Sequence, residues 1–284
     1  MLFRAMSTAI VTVALASCAA GQIPPGISRS TTSLDALKGQ TFIIRGFFDG
    51  DRLRYDTRGK LVLGGRPQSW TVAEVEIIRA DVKGNRLVIT GTREAVSFDD
   101  KKPRLVDRMI TKKNKQDVEK VVIEADLPRA DEAAALDAAR QIFLTEDDRL
   151  ADLVPEYWKG IVGPPDVVLE TPANAMEQLP AAKREPNPKA YRVGAGVTAP
   201  RAIVMPDPKY AETARQSRYE GTVVLWAIVG QEGKIEAVRI QRPLGMGLDE
   251  EAVKAVREWK FQPATKDGQP VPVQINIEVN FRLY

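Results

Sequence analysis

A proline-rich stretch in the second half of the chain constrains folding more than any other feature. Nine prolines fall within residues 163–208: Pro164, Pro165, Pro172, Pro180, Pro186, Pro188, Pro200, Pro206 and Pro208. Proline fixes φ and lacks the backbone N–H, so this density excludes a helix or a central strand and favours an extended connector. The sequence therefore predicts two domains joined by a linker over residues 163–200. At ~3.1 Å per residue we expect the linker to provide a reach on the order of 100 Å.

Composition excludes several classes of function. The chain has 284 residues, of which 44% are hydrophobic and 28% charged, as is typical of globular proteins. It contains no histidine and one cysteine, which excludes histidine-dependent triads, histidine zinc sites and internal disulfides. The net charge is only +3, with both signs interleaved, so nucleic-acid binding is not expected.

We expect the protein not to be an enzyme. Pairs of carboxylates occur at Asp99-Asp100 and Asp147-Asp148, but both pairs have the pattern of polar turns or helix starts. No apolar pocket that would shift a catalytic pKa is indicated beside either pair. Neither a metal site nor a cofactor is predicted.

The N-terminus has the pattern of a secretory signal peptide. Arg4 precedes an apolar run over residues 9–16, and small residues follow. As a helix this run is about 12 Å long, too short for a hydrocarbon core of about 30 Å. Cleavage at a small-x-small site would leave Ser17 as the new terminus. Alternatively, Leu15-Ala16-Ser17-Cys18 resembles the bacterial lipoprotein box, which implies cleavage before Cys18 and lipidation of its sulfur.

We favour the lipoprotein interpretation because the one cysteine falls at the required position. It assigns residues 1–17 to the signal peptide and residues 18–33 to a tether between the lipid and the first domain. The resemblance implies several acyl chains, and two or more chains anchor a protein stably. Ala19 and Ala20 lack the aspartate of an inner-membrane retention signal. The expected location is the periplasm of a Gram-negative bacterium, lipid-anchored, with the outer membrane favoured over the inner membrane.

Residues 34–162 predict a mostly antiparallel β domain, of unknown family, that ends in helices. Short runs of β-branched and aromatic residues alternate with turn signals such as Asp49-Gly50-Asp51 and Gly64-Gly65. Helical patterns follow over residues 131–143 and around residues 146–154.

Residues 201–284 predict a small domain with the order α-β-β-α-β, which makes the whole chain α+β. Residues 223–229 are apolar on both faces and are therefore the candidate central strand. Apolar residues at helical spacing over 248–259, with acids first and bases last, predict the second helix. Residues 271–284 alternate without a break, so the final strand should bury one face. Pro272 at its start suits an edge strand, which can accept an extended peptide.

The same segment resembles the C-terminal domain of the TonB family. The matching motifs are Pro208-Lys209-Tyr210, Gly221-Thr222-Val223, Gly233-Lys234-Ile235, Leu248-Asp249-Glu250-Glu251-Ala252, Trp259-Lys260-Phe261-Gln262-Pro263-Ala264 and Gly268-Gln269-Pro270-Val271. The sequence departs from the family pattern in two places. Ala211 replaces the usual proline, and Pro243-Leu244-Gly245 replaces the usual Ser-Ser-Gly. We expect the second departure to alter a loop beside the sheet.

The resemblance implies a three-stranded antiparallel sheet whose last strand receives the TonB box, an extended peptide of an outer-membrane transporter. The receiving residues at the matching positions are Gln274, Ile275, Asn276, Ile277, Glu278, Val279, Asn280, Phe281 and Arg282. A secondary contact is implied just before the first helix, at Arg201, Ala202, Ile203, Val204 and Met205.

Together these features predict a lipid-anchored periplasmic TonB-like protein that supports transmembrane transport by binding a TonB-dependent transporter or another envelope protein. The family's energy transducers use a spanning helix that bears a histidine, and this sequence has neither, so binding is expected without transduction. The alternative is a structural envelope module. In that case the β-rich domain binds a glycan or a lipoprotein, and the TonB-like end forms a homodimer by edge pairing.

Overall fold

The fold is that of a computed structural model, which describes residues 24, 26–99, 102–107, 119–162 and 190–283. The predicted signal peptide, Cys18 and most of the predicted linker lie outside these residues. Within the described part of the chain, no helix is both long enough and apolar enough to cross a membrane.

A seven-stranded sheet forms the N-terminal domain. Its strands are β1 (Thr41–Ile43), β2 (Arg52–Tyr55), β3 (Leu61–Leu63), β4 (Glu74–Val82), β5 (Arg86–Asp99), β6 (Lys102–Asp107) and β7 (Lys120–Asp126). Their order is β1-β4-β5-β7-β2-β3, with β6 paired to β5. Every pair is antiparallel except β2 with β7. The predicted, mostly antiparallel β domain is therefore confirmed.

Three helices follow this sheet: α1 (Glu132–Ile142), α2 (Leu150–Leu153) and α3 (Lys159–Val162). Helix α1 begins where the Asp131 side chain accepts a hydrogen bond from the Ala134 amide at 2.8 Å. Its apolar face, which includes Leu136 and Ala139, is buried against the sheet. The helical pattern over residues 131–143 thus predicts α1 to within one residue at each end.

The C-terminal domain contains the predicted α-β-β-α-β series together with several short strands. Its elements are β8 (Tyr191–Arg192), β9 (Arg201–Val204), α4 (Glu212–Gln216), β10 (Gly221–Val229), β11 (Ile235–Arg242), α5 (Leu248–Glu258), β12 (Lys260–Gln262), β13 (Ala264–Lys266), β14 (Gln269–Val271) and β15 (Val273–Phe281). The main sheet has the order β11-β10-β15-β8. Its three long strands are the expected antiparallel sheet, and β10 is the central strand. The fourth strand, β8, is parallel to β15 and falls within the range predicted as linker.

The two domains pack on one another rather than being held apart by the linker. One buried apolar cluster contains Trp70, Phe98 and Trp158 of the first domain together with Leu244 and Met246 of the second. The rings of Trp70 and Trp158 meet edge to face at 5.3 Å. The expectation of a long reach between the domains therefore does not describe this arrangement, because apolar burial at the junction outweighs the freedom of the linker.

Candidate functional site

Strand β15 forms the candidate binding edge. One side of β15 pairs with β10 over nine consecutive residue pairs, from Val273 to Phe281, without a register shift. Its other side pairs with β8 at Val273 and Gln274 only. Among the described residues, the outer edge of β15 from Ile275 onward has no strand partner.

The orientation of the free backbone groups follows from one hydrogen bond. The Tyr191 amide donates to the Pro272 carbonyl at 2.9 Å, so the Pro272 carbonyl points outward from the sheet. Peptide groups alternate in direction along a strand, and the register with β10 contains no bulge. The outward N–H and C=O groups beyond β8 are therefore those of Asn276, Glu278 and Asn280. An incoming strand would pair with these three residues.

The two faces of β15 differ in polarity as the sequence alternation predicts. Ile277, Val279 and Phe281 are buried, with exposures of 6%, 3% and 2%. Asn276 and Glu278 are exposed on the opposite face. The buried face fixes the strand, because a slip of one residue would expose its apolar side chains.

The end of the edge is held by aromatic packing. The Tyr210 ring meets Phe281 edge to face at 5.5 Å. Its hydroxyl donates to the Tyr219 carbonyl at 2.6 Å, and burial raises the pKa of Tyr210. The family motif tyrosine therefore supports the candidate edge from beneath rather than facing a ligand.

The structure brings the nine residues of the predicted primary site together. Eight of them, from Gln274 to Phe281, lie in β15, and exposed Arg282 follows directly. Their use as a binding site stays a prediction.

The predicted secondary site lies on a different sheet. Arg201 to Val204 form β9, which pairs with β12, and Met205 follows. Ile203 and Met205 are 68% and 56% exposed. The two predicted sets therefore do not share one hydrogen-bonded edge.

Strand β8 was not predicted from the sequence. The Lys266 ammonium lies 4.6 Å from the centre of the Tyr191 ring, and Val197 is buried beside it. A tight turn between them closes with hydrogen bonds between Gly194 and Val197. The only sequence signal was the short run Tyr191-Arg192-Val193, which the surrounding prolines obscured.

The loop that departs from the family pattern is a docking loop. The Phe98 amide donates to the Leu244 carbonyl at 3.2 Å, and the Met246 amide donates to the Val96 carbonyl at 2.9 Å. A Cβ on Gly245, whose φ is +86°, would overlap the Val96 carbonyl oxygen. Residues 243–247 therefore join β5 of the first domain, and the close approach of the two backbones explains why a glycine stands at position 245.

Two carboxylates at the start of α5 lie at the same junction. Asp249 accepts hydrogen bonds from the Leu244 and Gly245 amides at 2.9 and 2.6 Å. Burial raises its pKa to about 8, and the neighbouring Glu250 charge adds to the shift. Glu250 accepts a 2.7 Å hydrogen bond from the Trp158 indole, and burial raises its pKa as well. The Trp158–Glu250 bond joins the two domains, whereas the Asp249 bonds hold the loop at residues 244–245 within the second domain.

The carboxylate pair Asp147-Asp148, noted in the sequence, forms ion pairs with arginines. Asp147 is bonded to Arg29, and Asp148 to Arg45. The Arg45 guanidinium lowers the pKa of Asp148 to about 2. The side chains of Asp99 and Asp100 lie outside the described part of the molecule. Across the described ranges, no three His, Cys, Asp or Glu residues are grouped as metal ligands.

Comparison with known proteins identifies the C-terminal domain. Residues 206–283 match the family described as Gram-negative bacterial TonB protein C-terminal. This match confirms the resemblance to the TonB C-terminal domain family that the motifs of the segment predicted.

Individual relatives match over a similar number of residues. Protein TonB of Vibrio cholerae is 35% identical over 78 residues, which are 27% of this chain and 32% of that protein. Protein tonB2 of Pseudomonas aeruginosa is 33% identical over 79 residues, or 28% of this chain and 29% of that protein. The match spans about a third of the length of these relatives. The solution NMR structure of the Pseudomonas aeruginosa TonB CTD covers 33% of this chain and 93% of its own, at 20% identity and a TM-score of 0.27.

Proposed function

We propose that this chain is a non-catalytic envelope protein that binds an extended peptide of a TonB-dependent outer-membrane transporter. The peptide adds to the outer edge of β15 between Ile275 and Phe281. The observation that carries the proposal is that this stretch has no strand partner within the described residues. The family match of residues 206–283 supports the class of partner.

The backbone supplies most of the affinity in this form of binding. Asn276, Glu278 and Asn280 offer outward donors and acceptors, and each hydrogen bond contributes about 0.5–1.5 kcal/mol. Strand β8 limits the site at Gln274, where the chain turns away at Gly194. A partner strand of about seven residues therefore fills the free edge.

A proline substitution tests the edge directly. Glu278→Pro removes an outward N–H while leaving the bonds between β15 and β10 in place, and edge strands tolerate proline. We expect binding of a synthetic TonB-box peptide to weaken about tenfold by calorimetry. Glu278→Gln is the matched control, because it changes the same side chain and keeps the donor. Equal affinity of the two variants would refute edge addition.

We further propose that Cys18 carries lipid and places the protein in the periplasm, at the outer membrane. The support is the lipoprotein box over residues 15–18. Mass spectrometry of the mature N-terminus should find an acylated Cys18. An unmodified Ser17 at the terminus would exclude the anchor.

A second function is favoured by the exposed apolar residues of β9. Ile203, Val204 and Met205 are 68%, 47% and 56% exposed. Such a strand could pair with a second copy, which would make the chain a structural envelope module. Size-exclusion chromatography with and without the TonB-box peptide separates the two functions. A tight dimer that ignores the peptide favours the structural one.

A further inference from the structure

The β2–β3 hairpin of the N-terminal domain presents an uncovered apolar edge. Strand β3 is the last strand of the seven-stranded sheet and, among the residues that the structure describes, pairs only with β2. Its residues Val62 and Leu63 are 53% and 65% exposed. Edge strands are commonly protected by charges within the strand, but β3 is Leu-Val-Leu.

Charged residues instead flank β3 in the sequence, and most of them are positive. Residues 51–66 contain five basic and two acidic residues, a net charge of +3. Four of the cations, Arg52, Arg58, Lys60 and Arg66, are exposed and form no ion pair among the described residues. Of the two acids, Asp56 is already hydrogen-bonded, because its carboxylate accepts hydrogen bonds from the Arg58 and Lys60 amides at 2.9 and 3.0 Å.

The hairpin is held in a defined shape. Leu53 and Tyr55 of β2 are 1% exposed and anchor it in the core. Strand β3 is followed by Gly64 and Gly65, both with positive φ, and a Cβ on Gly64 would overlap the Arg52 carbonyl oxygen. The apolar pair is therefore presented without the cost of ordering a flexible segment on binding.

We propose that this hairpin docks onto a membrane surface that contains anionic phospholipids. Val62 and Leu63 enter the interfacial region, and the four cations contact phosphate headgroups. A combination of exposed apolar side chains and surrounding cations is what such surfaces bind. This interaction does not depend on peptide binding at β15 or on lipid at Cys18.

Two other kinds of binding partner fit this hairpin less well than a membrane surface does. A single-stranded nucleic acid would require exposed aromatic rings, and the hairpin's one aromatic residue, Tyr55, is buried. A stable protein partner covers about 800 Å² on each side, far more than two aliphatic side chains supply.

A local fluorescent probe on the full chain tests the proposal. Thr57→Cys, in the hairpin turn, is labelled with bimane in a Cys18→Ser background, and quenching by aqueous iodide is measured. We expect protection with vesicles of phosphatidylglycerol and phosphatidylcholine in equal parts, and none with phosphatidylcholine alone. A label at Gln231→Cys, in the turn between β10 and β11, should remain quenched in both.

Substitutions identify the contacts. Val62→Ser with Leu63→Ser should abolish the protection, and Arg58→Gln or Lys60→Gln should each lower vesicle affinity about fivefold at low salt. Ile78→Ser with Leu153→Ser is the matched apolar control, because these side chains are 43% and 40% exposed outside the hairpin, and it should have no effect. Equal melting temperatures would show that all variants fold.

Three outcomes would overturn the proposal. They are iodide quenching that vesicles do not change, protection that is equal on neutral lipid, and equal protection by the soluble polyanion heparin. The last would assign the hairpin to polyanions in general.

Discussion

Asp249 places a carboxyl group with no solvent exposure at the junction between two domains. The helix N-terminus and two amide donors favour its ionised form, but burial and the adjacent Glu250 outweigh them and raise its pKa to about 8. The family motif Leu248-Asp249-Glu250-Glu251 was evident from the sequence. Its burial was not, because acidic residues at a helix start usually face solvent.

The raised pKa of Asp249 predicts that stability depends on pH. The unfolded state loses the Asp249 proton near pH 4, while the folded state keeps it until about pH 8. The folded state binds more protons across this window, so the free energy of unfolding falls as pH rises from 4 to 8. Asp249→Asn should flatten this dependence in thermal melts at pH 5 and pH 8. An unchanged slope in the variant would contradict the assignment.

At Trp158, the contribution of the hydrogen bond to stability can be measured separately from that of ring packing. Trp158→Phe removes the donor to Glu250, a bond to a charged group worth about 1.5–3 kcal/mol. The control is Trp70→Phe, since Trp70 is equally buried in the same cluster and its indole nitrogen lacks a hydrogen-bond partner within the described residues. Urea unfolding should show the larger loss for Trp158→Phe. Equal losses would mean that only ring packing matters.

At the scale of elements, strands and helices with strong periodicity were predictable. The alternation of β15 fixed its buried face, and the spacing of Leu248, Ala252 and Val256 fixed α5. The two-residue strand β8 was not predictable, because two residues have no period. Its pairing depends on β15 and on Lys266, which are distant in sequence.

The docking loop predicts unequal effects of two glycine substitutions. Gly245→Ala and Gly268→Ala both force alanine into positive φ, at +86° and +77°. A Cβ at Gly245 would lie only 2.8 Å from the Ser97 Cα, whereas a Cβ at Gly268 would meet nothing within 4 Å. We expect Gly245→Ala to speed hydrogen exchange of the Met246 amide, which bonds to Val96. Gly268→Ala should leave that amide protected, and similar exchange in both variants would refute the close approach.

At the scale of the whole molecule, the sequence predicted two domains but not their contact. Trp70, Phe98 and Trp158 have the pattern of ordinary core residues of the first domain, and nothing in their spacing indicates that their cluster extends into the second. The one available signal was Pro243-Leu244-Gly245, which marked an altered loop. That signal located the junction without identifying what the loop contacts.

The shared apolar cluster predicts cooperative unfolding of both domains. Unfolding of one domain would expose apolar surface of the other to water, so neither domain should unfold alone. Differential scanning calorimetry should show a single transition with equal calorimetric and van't Hoff enthalpies. Two resolved transitions would show that the junction contributes little to stability.

The positions of α3 and β8 have a consequence for how the proline-rich segment can vary. Helix α3 lies against β11 at one border of the main sheet, and β8 adds to β15 at the other. Four strands at about 4.8 Å spacing place these borders about 14 Å apart, a gap that residues 163–189 exceed many times over. Nicking the chain there would leave two fragments that co-purify. Insertions and deletions there would leave the geometry of the binding edge unaltered, so this stretch can diverge freely in length and composition.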